Sequence, residues 1–277
     1  MRTLPTLCRL RPLPMLALTH RIHSIATPQG TLHAQVWTHD LAQGAPIVLL
    51  HDSLGCVSLW RDLPEQLVQA TGRTVVAYDR LGFGQSSPHP GTLALNFVAD
   101  EAQQALAAVL DGLGLDAFVA LGHSVGGGMA VCAAAAYPSR CKALITIAAQ
   151  SFVEAHTVKG IRVAALQFAQ PGALEKLAKY HGDKAYWVLH AWTDTWLSTE
   201  FASWRLDSVL PQVNCPTLVI HGADDEYGSA VHPQTIVQGV QGPASLALLP
   251  HCGHMPHKEH ATQCLDLIAA HLADPTQ

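Results

Sequence analysis

The pentapeptide Gly122-His123-Ser124-Val125-Gly126 constrains the fold of this chain more than any other segment does. An apolar run of strand type precedes it at residues 118–121, and a small-residue run of helical type follows it at residues 126–136. A Gly-x-Ser-x-Gly sequence between a strand and a helix predicts a nucleophile elbow, a tight turn in which a strained serine lifts its Oγ clear of the sheet. The glycines let the strand and the helix approach each other without Cβ clashes.

Two later segments supply the partners that a serine nucleophile needs. A serine hydroxyl is a poor nucleophile until a base removes its proton, and an acid must hold that base in one tautomer. An apolar strand at residues 217–220 runs into a turn that carries Asp224 and Asp225. A strand at residues 244–249 is followed by a loop that ends in Gly253-His254. The chain therefore offers carboxylates and a histidine at the ends of strands, downstream of the elbow.

Short apolar runs alternate with helical patterns along most of the chain. Residues 20–25 and 32–37 flank Pro28-Gln29-Gly30 and predict an antiparallel hairpin. Continuous apolar runs predict buried strands at residues 46–50, 74–78 and 143–147, and helices are predicted at residues 59–70, 96–113 and 262–272. Strands that alternate with helices pair in parallel through right-handed crossovers. We therefore predict a three-layer α/β sandwich with a mostly parallel sheet.

Residues 148–213 interrupt this alternation, because they contain helical patterns and four of the six tryptophans but no strand candidate. An insertion at this point would lie above the carboxyl ends of the strands, so we predict a helical cap. No linker or repeat divides the chain, and we predict a single domain over residues 17–273. In residues 1–16, arginines and prolines break the apolar run that a signal peptide needs, so we expect a disordered tail or a start at Met15.

Five motifs together resemble those of the α/β-hydrolase fold family. They are Leu50-His51-Asp52-Ser53-Leu54-Gly55, Tyr78-Asp79-Arg80-Leu81-Gly82-Phe83-Gly84-Gln85-Ser86, the elbow, Ile220-His221-Gly222-Ala223-Asp224-Asp225 and Cys252-Gly253-His254. The likeness covers about residues 17–273, has the family's order Ser, Asp, His, and is similar to capped bacterial serine esterases and carbon–carbon bond hydrolases. It implies that Ser124 is the nucleophile, His254 the base and Asp225 the orienting acid, since the family pattern is Gly-x-x-Asp counted from Gly222.

The resemblance also implies an oxyanion hole made by the backbone N–H groups of Ser53 and Val125. The sequence departs from the family pattern at Asp52, where the family usually has glycine. Aspartate tolerates unusual backbone angles, so the turn can be kept. A carboxylate aimed at an oxyanion would oppose catalysis. We therefore expect Asp52 to point away and to bond to local backbone or to Arg80.

Composition restricts the partners and the compartment. A formal net charge of −5 argues against nucleic acid or an anionic membrane as a partner, which leaves a small-molecule substrate. Seven scattered cysteines without Cys-x-x-Cys spacing predict buried, reduced thiols in a cytoplasmic protein. Four histidines recur every third residue between His251 and His260, but Pro256 breaks any single helical face, so we predict no metal site. No cofactor is implied, and the oligomeric state stays open.

The favoured interpretation is hydrolysis of a small apolar ester through an acyl-enzyme on Ser124. An apolar substrate pocket is predicted under the cap, lined by Trp187, Trp192, Trp196 and Phe168. Arg162 is flanked by apolar residues and could face inward to hold a carboxylate. Two alternatives stay open: hydrolysis of a carbon–carbon bond in a dicarbonyl compound with the same triad, and a ligand receptor that keeps the triad but barely turns over.

Overall fold

A computed structural model describes residues 17–273, and an eight-stranded sheet lies at its centre. The strands are β1 (Thr19–Thr27), β2 (Gly30–Thr38), β3 (Ile47–Leu50), β4 (Val75–Tyr78), β5 (Phe118–His123), β6 (Cys141–Ile147), β7 (Thr217–Gly222) and β8 (Ala244–Leu249). Their order across the sheet is β1-β2-β4-β3-β5-β6-β7-β8. The β1–β2 and β2–β4 pairs are antiparallel, and all other pairs are parallel. The predicted tail at residues 1–16 lies outside the described residues.

Helices cover both faces of this sheet. They are α1 (Leu63–Thr71), α2 (Phe97–Gln103), α3 (Ala105–Gly112), α4 (Val125–Ala136), α5 (Ala155–Phe168), α6 (Ala173–His181), α7 (Ala185–Trp196), α8 (Val231–Gly239), α9 (Pro256–Glu259) and α10 (Ala261–Leu272). In β3, Val48 and Leu50 pack into the core under α2, α3, α4 and α8, whereas Ile47 and Leu49 pack into the core under α1 and α10. Successive residues of a strand face opposite sides, so a continuous apolar run serves two cores. The predicted three-layer sandwich is confirmed.

Three helical segments differ from the prediction. The helix predicted over residues 96–113 is broken at Gln104, which lets α2 pack against α4 while α3 packs against β1. The helix predicted over residues 59–70 is a short 3₁₀ turn at Val57–Trp60 followed by α1, and Arg61 between them has a φ of 55°. Helix α8 was not predicted; its Pro233 lies in the first turn, where proline is tolerated because its missing N–H has no helical partner to lose.

Between β6 and β7 the chain forms α5, α6, α7 and a 3₁₀ turn at Leu210–Gln212, and residues 148–213 contain no strand. Side chains of α5 and α7 reach the same cavity as Ser124, which lies at the carboxyl end of β5. This insertion therefore covers the edge of the sheet at which parallel strands collect functional residues.

The described chain contains no helix, anywhere in residues 17–273, that is both long and apolar enough to cross a bilayer. The cysteines of this part of the chain are unpaired and buried: Cys56, Cys132, Cys141, Cys215, Cys252 and Cys264. Cys8, the seventh, lies outside the described residues.

Candidate active site

Ser124 lies in the turn between β5 and α4, and its backbone is strained. Its φ of 56° falls in the left-handed region, which L-residues other than glycine adopt only at a cost. Gly122 and Gly126 make this turn possible. A Cβ on Gly122 would lie 2.0 Å from the carbonyl oxygen of Gly126, and a Cβ on Gly126 would lie 2.1 Å from that of Leu50. The local geometry is that of a nucleophile elbow.

The structure brings Ser124, His254 and Asp225 together in one buried chain of hydrogen bonds. Oγ of Ser124 is 3.0 Å from Nε2 of His254, and Nδ1 of His254 is 2.9 and 2.8 Å from the two carboxylate oxygens of Asp225. An ionised carboxylate only accepts hydrogen bonds, so Nδ1 carries the proton and Nε2 is left to accept the proton of Ser124. This is the tautomer that a general base requires.

Burial and neighbouring charges act in opposite directions on this pair. Burial alone would lower the pKa of His254, but the hydrogen bond and charge of Asp225 raise that pKa above its usual value, with smaller contributions from Glu226 and Asp52. Burial favours the neutral form of Asp225, yet the hydrogen bond from His254 and the N–H of Tyr227 lower the pKa of that carboxyl. Asp225 is therefore ionised, and it stabilises the imidazolium that forms when His254 accepts a proton.

Two glutamates hold the loop that carries His254. The backbone N–H of His254 donates to Oε2 of Glu226 at 3.1 Å. The N–H groups of Gly253 and Met255, on either side, donate to the two carboxylate oxygens of Glu259 at 2.7 and 3.0 Å. Sequence reasoning missed both glutamates, although Glu226 directly follows the acid. They fix the base through its backbone, so the ring starts from a defined position.

Ser53 and Val125, the two residues predicted to form an oxyanion hole, both lie at the site of Ser124. Ser53 lines the same cavity as Ser124, and Val125 is the next residue of the chain and the first of α4. Within residues 17–273, neither backbone N–H donates a hydrogen bond to another protein group. No protein group of the described residues therefore competes for these two N–H groups, and that of Val125 lies in the first turn of α4, at the positive end of the helix dipole.

Asp52 behaves only partly as expected. Its Oδ1 accepts the backbone N–H of Leu54 at 2.8 Å, as predicted. Arg80 donates to the backbone carbonyl of Asp52 at 2.8 Å rather than to its carboxylate, whose Oδ2 is 3.3 Å from Nδ1 of His123. Burial would raise the pKa of Asp52, but the hydrogen bond and charge of His123 hold it well below its usual range. An ionised Asp52 thus lines the cavity.

A cavity of about 240 Å³ lies over Ser124, and its wall is largely apolar. Thr157 and Ile161 of α5 and Trp192 and Trp196 of α7 form its roof. Residues four apart on a helix share a face, so each helix contributes one pair. Two of the four aromatic residues predicted to contact substrate, Trp192 and Trp196, are therefore placed at the cavity.

Trp187, Phe168 and Arg162 lie elsewhere, for reasons of helix geometry. Trp187 is five residues before Trp192, about 140° around α7, and it packs against Phe83 with a ring-centroid distance of 5.5 Å. Phe168 is about 10 Å along α5 from Ile161, beyond the cavity. Arg162 is exposed and does not face inward. These three placements correct the predicted pocket.

Several residues of the cavity were not found from the sequence. Gln150, at the carboxyl end of β6, places Oε1 3.3 Å from Oγ of Ser124. Tyr227, two residues after Asp225, packs edge-on against the ring of His254 at 4.8 Å and against Trp192 at 5.9 Å. The position of Gln150 next to the elbow strand is a signal that could have identified it, because neighbouring parallel strands end at the same edge.

The part of the chain that the structure describes holds no group of three or more His, Cys, Asp or Glu side chains arranged to bind a metal ion. Of the four regularly spaced histidines, His254 faces Ser124, His257 is buried beside Trp60 at 5.5 Å between ring centroids, and His251 is exposed. Nε2 of His260 donates to the backbone carbonyl oxygen of His251 at 3.2 Å instead of converging with the other ring nitrogens.

The profile of the alpha/beta hydrolase fold family matches residues 45–203, more than half of the chain. The chain therefore belongs to this family, as the motifs implied. Among curated relatives, the human 1-acylglycerol-3-phosphate O-acyltransferase ABHD5 is 34% identical over 124 residues, which cover 43% of this chain and 35% of that protein. The chain thus spans about a third of the length of the first relatives that it matches.

Other similarities extend over most of the chain. The 2-hydroxy-6-oxononadienedioate/2-hydroxy-6-oxononatrienedioate hydrolase 2 of Pseudomonas putida is 28% identical over 262 residues, or 84% of this chain and 90% of that enzyme. The crystal structure of the enol-lactonase from Burkholderia xenovorans LB400 superposes with a TM-score of 0.70 at 18% identity, covering 91% of this chain and 100% of that one. At such low identity, the structural likeness concerns the fold alone.

Proposed function

We propose that this chain hydrolyses small apolar esters through a covalent acyl-enzyme on Ser124. The observation that carries the proposal is the 3.0 Å contact between Oγ of Ser124 and Nε2 of His254, whose Nδ1 is held by Asp225, at the floor of an apolar cavity. A serine that is hydrogen-bonded to an oriented base is an activated nucleophile.

In the proposed reaction, Nε2 of His254 takes the proton of Ser124 as Oγ attacks the ester carbonyl carbon. The carbonyl oxygen gains negative charge and accepts hydrogen bonds from the N–H groups of Ser53 and Val125. The bond to the leaving alkoxide breaks, and the alkoxide takes the proton from His254. A water molecule, deprotonated by His254, then attacks the acyl carbon. The bond from that carbon to Oγ of Ser124 breaks, the carboxylic acid is released, and His254 returns its proton to Oγ. Asp225 keeps its charge throughout and stabilises the imidazolium in both halves.

The size and polarity of the cavity support a small, uncharged acyl group. Its volume of about 240 Å³ lies below the range of about 300–1,000 Å³ that is usual for ligand pockets. Trp192, Trp196 and Ile161 offer apolar surface, and apart from histidines the charged side chains at its wall are Asp52 and Lys258. Contact with Trp and Ile side chains buries apolar substrate groups, which favours their binding, and it requires few hydrogen bonds from the substrate.

The second candidate is hydrolysis of a carbon–carbon bond, which the relatives that match most of the chain favour. The names of two of them, from Pseudomonas putida and from Pseudomonas sp. strain CF600, describe hydrolases of 2-hydroxy-6-oxo dienedioates and of 2-hydroxymuconate semialdehyde. Such substrates carry carboxylates. No arginine of residues 17–273 lines the cavity here, and the ionised Asp52 offsets the charge of Lys258, the cation at the wall apart from histidines. The cavity therefore favours the ester reaction.

A series of p-nitrophenyl esters tests the proposal, with a vinylogous diketone as competitor. We expect kcat/KM to peak at about four to eight acyl carbons, because a capped cavity of this size excludes longer chains. Activity that rises steadily to about sixteen carbons at an oil–water interface would indicate a lipase instead. If the protein cleaves the diketone but none of the esters, the carbon–carbon hydrolase is favoured. If each protein molecule is acylated once and then turns over no further substrate, the receptor is favoured.

The unpaired, buried cysteines of the described chain support our further proposal of a reducing, cytoplasmic location. The proposed partner is the small-molecule substrate, and the reaction as written uses no metal and no organic cofactor.

A further inference from the structure

His123, the residue before the nucleophile, has an acceptor at each of its two ring nitrogens. Nε2 is 2.8 Å from the backbone carbonyl oxygen of His254, and Nδ1 is 3.3 Å from Oδ2 of Asp52. The residue is 1% exposed, so its ring is shielded from bulk solvent. Packing beside the elbow alone does not require both nitrogens to be bonded.

The two contacts require one more proton than a neutral imidazole has. The carbonyl of His254 accepts only, so Nε2 carries a proton. The contact between Nδ1 and Asp52 then needs a second proton, held by the ring or by the carboxyl. The hydrogen bond and charge of His123 hold the pKa of Asp52 well below its usual range, so a carboxylate oxygen faces Nδ1 of His123 as an acceptor.

This pair connects three segments that catalysis must keep in register. Asp52 lies in the turn after β3, and its other oxygen accepts the N–H of Leu54, which fixes the turn that presents Ser53. His123 is the last residue of β5 and is covalently joined to Ser124. The carbonyl that Nε2 binds belongs to the catalytic base itself. A displacement of about 1 Å in such a site can cost about 10²-fold in rate.

The surroundings contain few other groups that could hold the ring of His123. The rings of His257 and Trp60 face it at centroid distances of 4.7 and 6.4 Å, and the ring of His254 lies at 5.1 Å. Burial and the charge of His123 lower the pKa of His257, so His257 stays neutral. Among residues 17–273, Asp52 is therefore the carboxylate in contact with His123.

We propose that Asp52 and His123 form a positioning dyad, which aligns the oxyanion turn and the base loop with Ser124. The proposal rests on the proposed function, because it concerns how the same site is held. It gives a role to the aspartate that replaces the usual glycine. Neither side chain is proposed to react with substrate; they act through Ser53 and His254.

The test compares Asp52→Asn with Asp224→Asn, which removes the same charge from an exposed neighbour of the triad. Asparagine keeps an acceptor for the N–H of Leu54 but removes the negative charge that holds His123. We expect kcat of Asp52→Asn to fall by about 10²-fold with KM nearly unchanged, and Asp224→Asn to stay close to wild type.

The pH profile separates positioning from a general loss of structure. His254 must be neutral to act as base, and Asp52 is one of the charges that raise its pKa, together with Asp225 and Glu226. Removal of the charge of Asp52 should therefore move the acid limb of kcat/KM to lower pH, whereas Asp224→Asn should not move it. A structural defect alone would lower activity at every pH without this displacement.

A double-mutant cycle with His123→Asn provides a second readout. If the two side chains act as one unit, Asp52→Asn/His123→Asn should be no slower than the slower single variant. A double variant whose loss of rate equals the product of the losses of the two single variants would contradict the dyad. If Asp52→Asn fails to fold, Asp52→Gly, which has the usual residue of the family, replaces it in the test. Thermal unfolding shows whether each variant is folded.

The rate of labelling of Ser124 by a fluorophosphonate keeps this test independent of the substrate. The reaction uses the same nucleophile, base and oxyanion donors as ester cleavage. Wild-type protein that labels rapidly but hydrolyses no ester would end the proposed function and leave the dyad testable. Labelling of Asp52→Asn and Asp52→Gly at the wild-type rate, with kcat and pH profile unchanged, would overturn the dyad.

Discussion

Asp224 and Asp225 are adjacent in sequence but lie in opposite environments. The side chain of Asp225 is fully buried and accepts from His254 and from the N–H groups of Tyr227 and Gly228. The side chain of Asp224 is 67% exposed, and it lies 4.0 Å from Nδ1 of His251, which is also exposed. A shift of one residue in this turn would exchange these environments. The two aspartates therefore form a matched pair for mutation.

We predict that Asp225→Asn lowers kcat by about 10⁴-fold, because His254 then settles in the wrong tautomer, while Asp224→Asn changes kcat by less than about twofold. Loss of the carboxylate also removes the main cause of the raised pKa of His254, so the acid limb of any residual activity should move to lower pH. Steady-state kinetics from about pH 5 to 9 measure both effects. If Asp224→Asn were inactive and Asp225→Asn active, the orienting acid would be Asp224 instead of Asp225.

Short motifs made the residues of the triad predictable, because glycine spacing and strand ends fix them locally. The proposed positioning role of His123 could not be predicted in this way. It depends on Asp52 and on the carbonyl of His254, which lie 71 and 131 residues away in the chain. Gln150 falls in the same class, since only the pairing of β5 with β6 brings it to Ser124.

At the scale of elements, helix α7 divides its aromatic residues between two tasks. Trp192 and Trp196 share the face that closes the cavity. Trp187, on a different face, stacks on His89 at 4.9 Å and donates its indole N–H to the carbonyl of Gly91 at 2.7 Å, which ties the cap to the loop after β4. Composition indicates an aromatic cap but not which residues face substrate, whereas helical spacing separates the two faces.

We predict that Trp192→Ala enlarges the cavity and raises the ratio of kcat/KM for p-nitrophenyl octanoate over butyrate by at least about tenfold. Trp187→Ala is the control, since it removes the same side chain from the same helix outside the cavity. It should lower Tm, because a packed ring and a hydrogen bond are lost, and leave the ratio unchanged. A changed ratio in Trp187→Ala, or none in Trp192→Ala, would contradict the placement of the cavity.

At the scale of the whole molecule, buried histidines link stability to pH. Burial is the main cause that lowers the pKa of five histidines below the usual value: His51, His181, His221, His232 and His257. The unfolded chain therefore takes up protons near pH 6.5 that the folded chain does not, so the stability they provide is lost as pH falls. His254, with a raised pKa, and Glu101, whose pKa burial raises, act in the opposite direction.

We predict that Tm falls by more than about 5 °C between pH 7.5 and pH 5.5, because the five histidines with a lowered pKa outweigh His254, whose pKa is raised. Below about pH 4, Asp225 adds to the loss, since its folded pKa is lowered and protonation removes its bonds to His254. Thermal unfolding by circular dichroism in buffers of equal ionic strength measures the change. A Tm that is constant or higher at pH 5.5 would show that these histidines are protonated in the folded state.

The covalent intermediate tests the account of this molecule most directly. Protein mixed with p-nitrophenyl butyrate and quenched in acid within the first turnover should gain the mass of one butyryl group, located by peptide mapping on the segment that contains Ser124. Ser124→Ala, in which a small residue still fits the elbow, should fold, gain no mass and lose several orders of magnitude in kcat. Turnover by Ser124→Ala at the wild-type rate, or an acyl group on another residue, would contradict it.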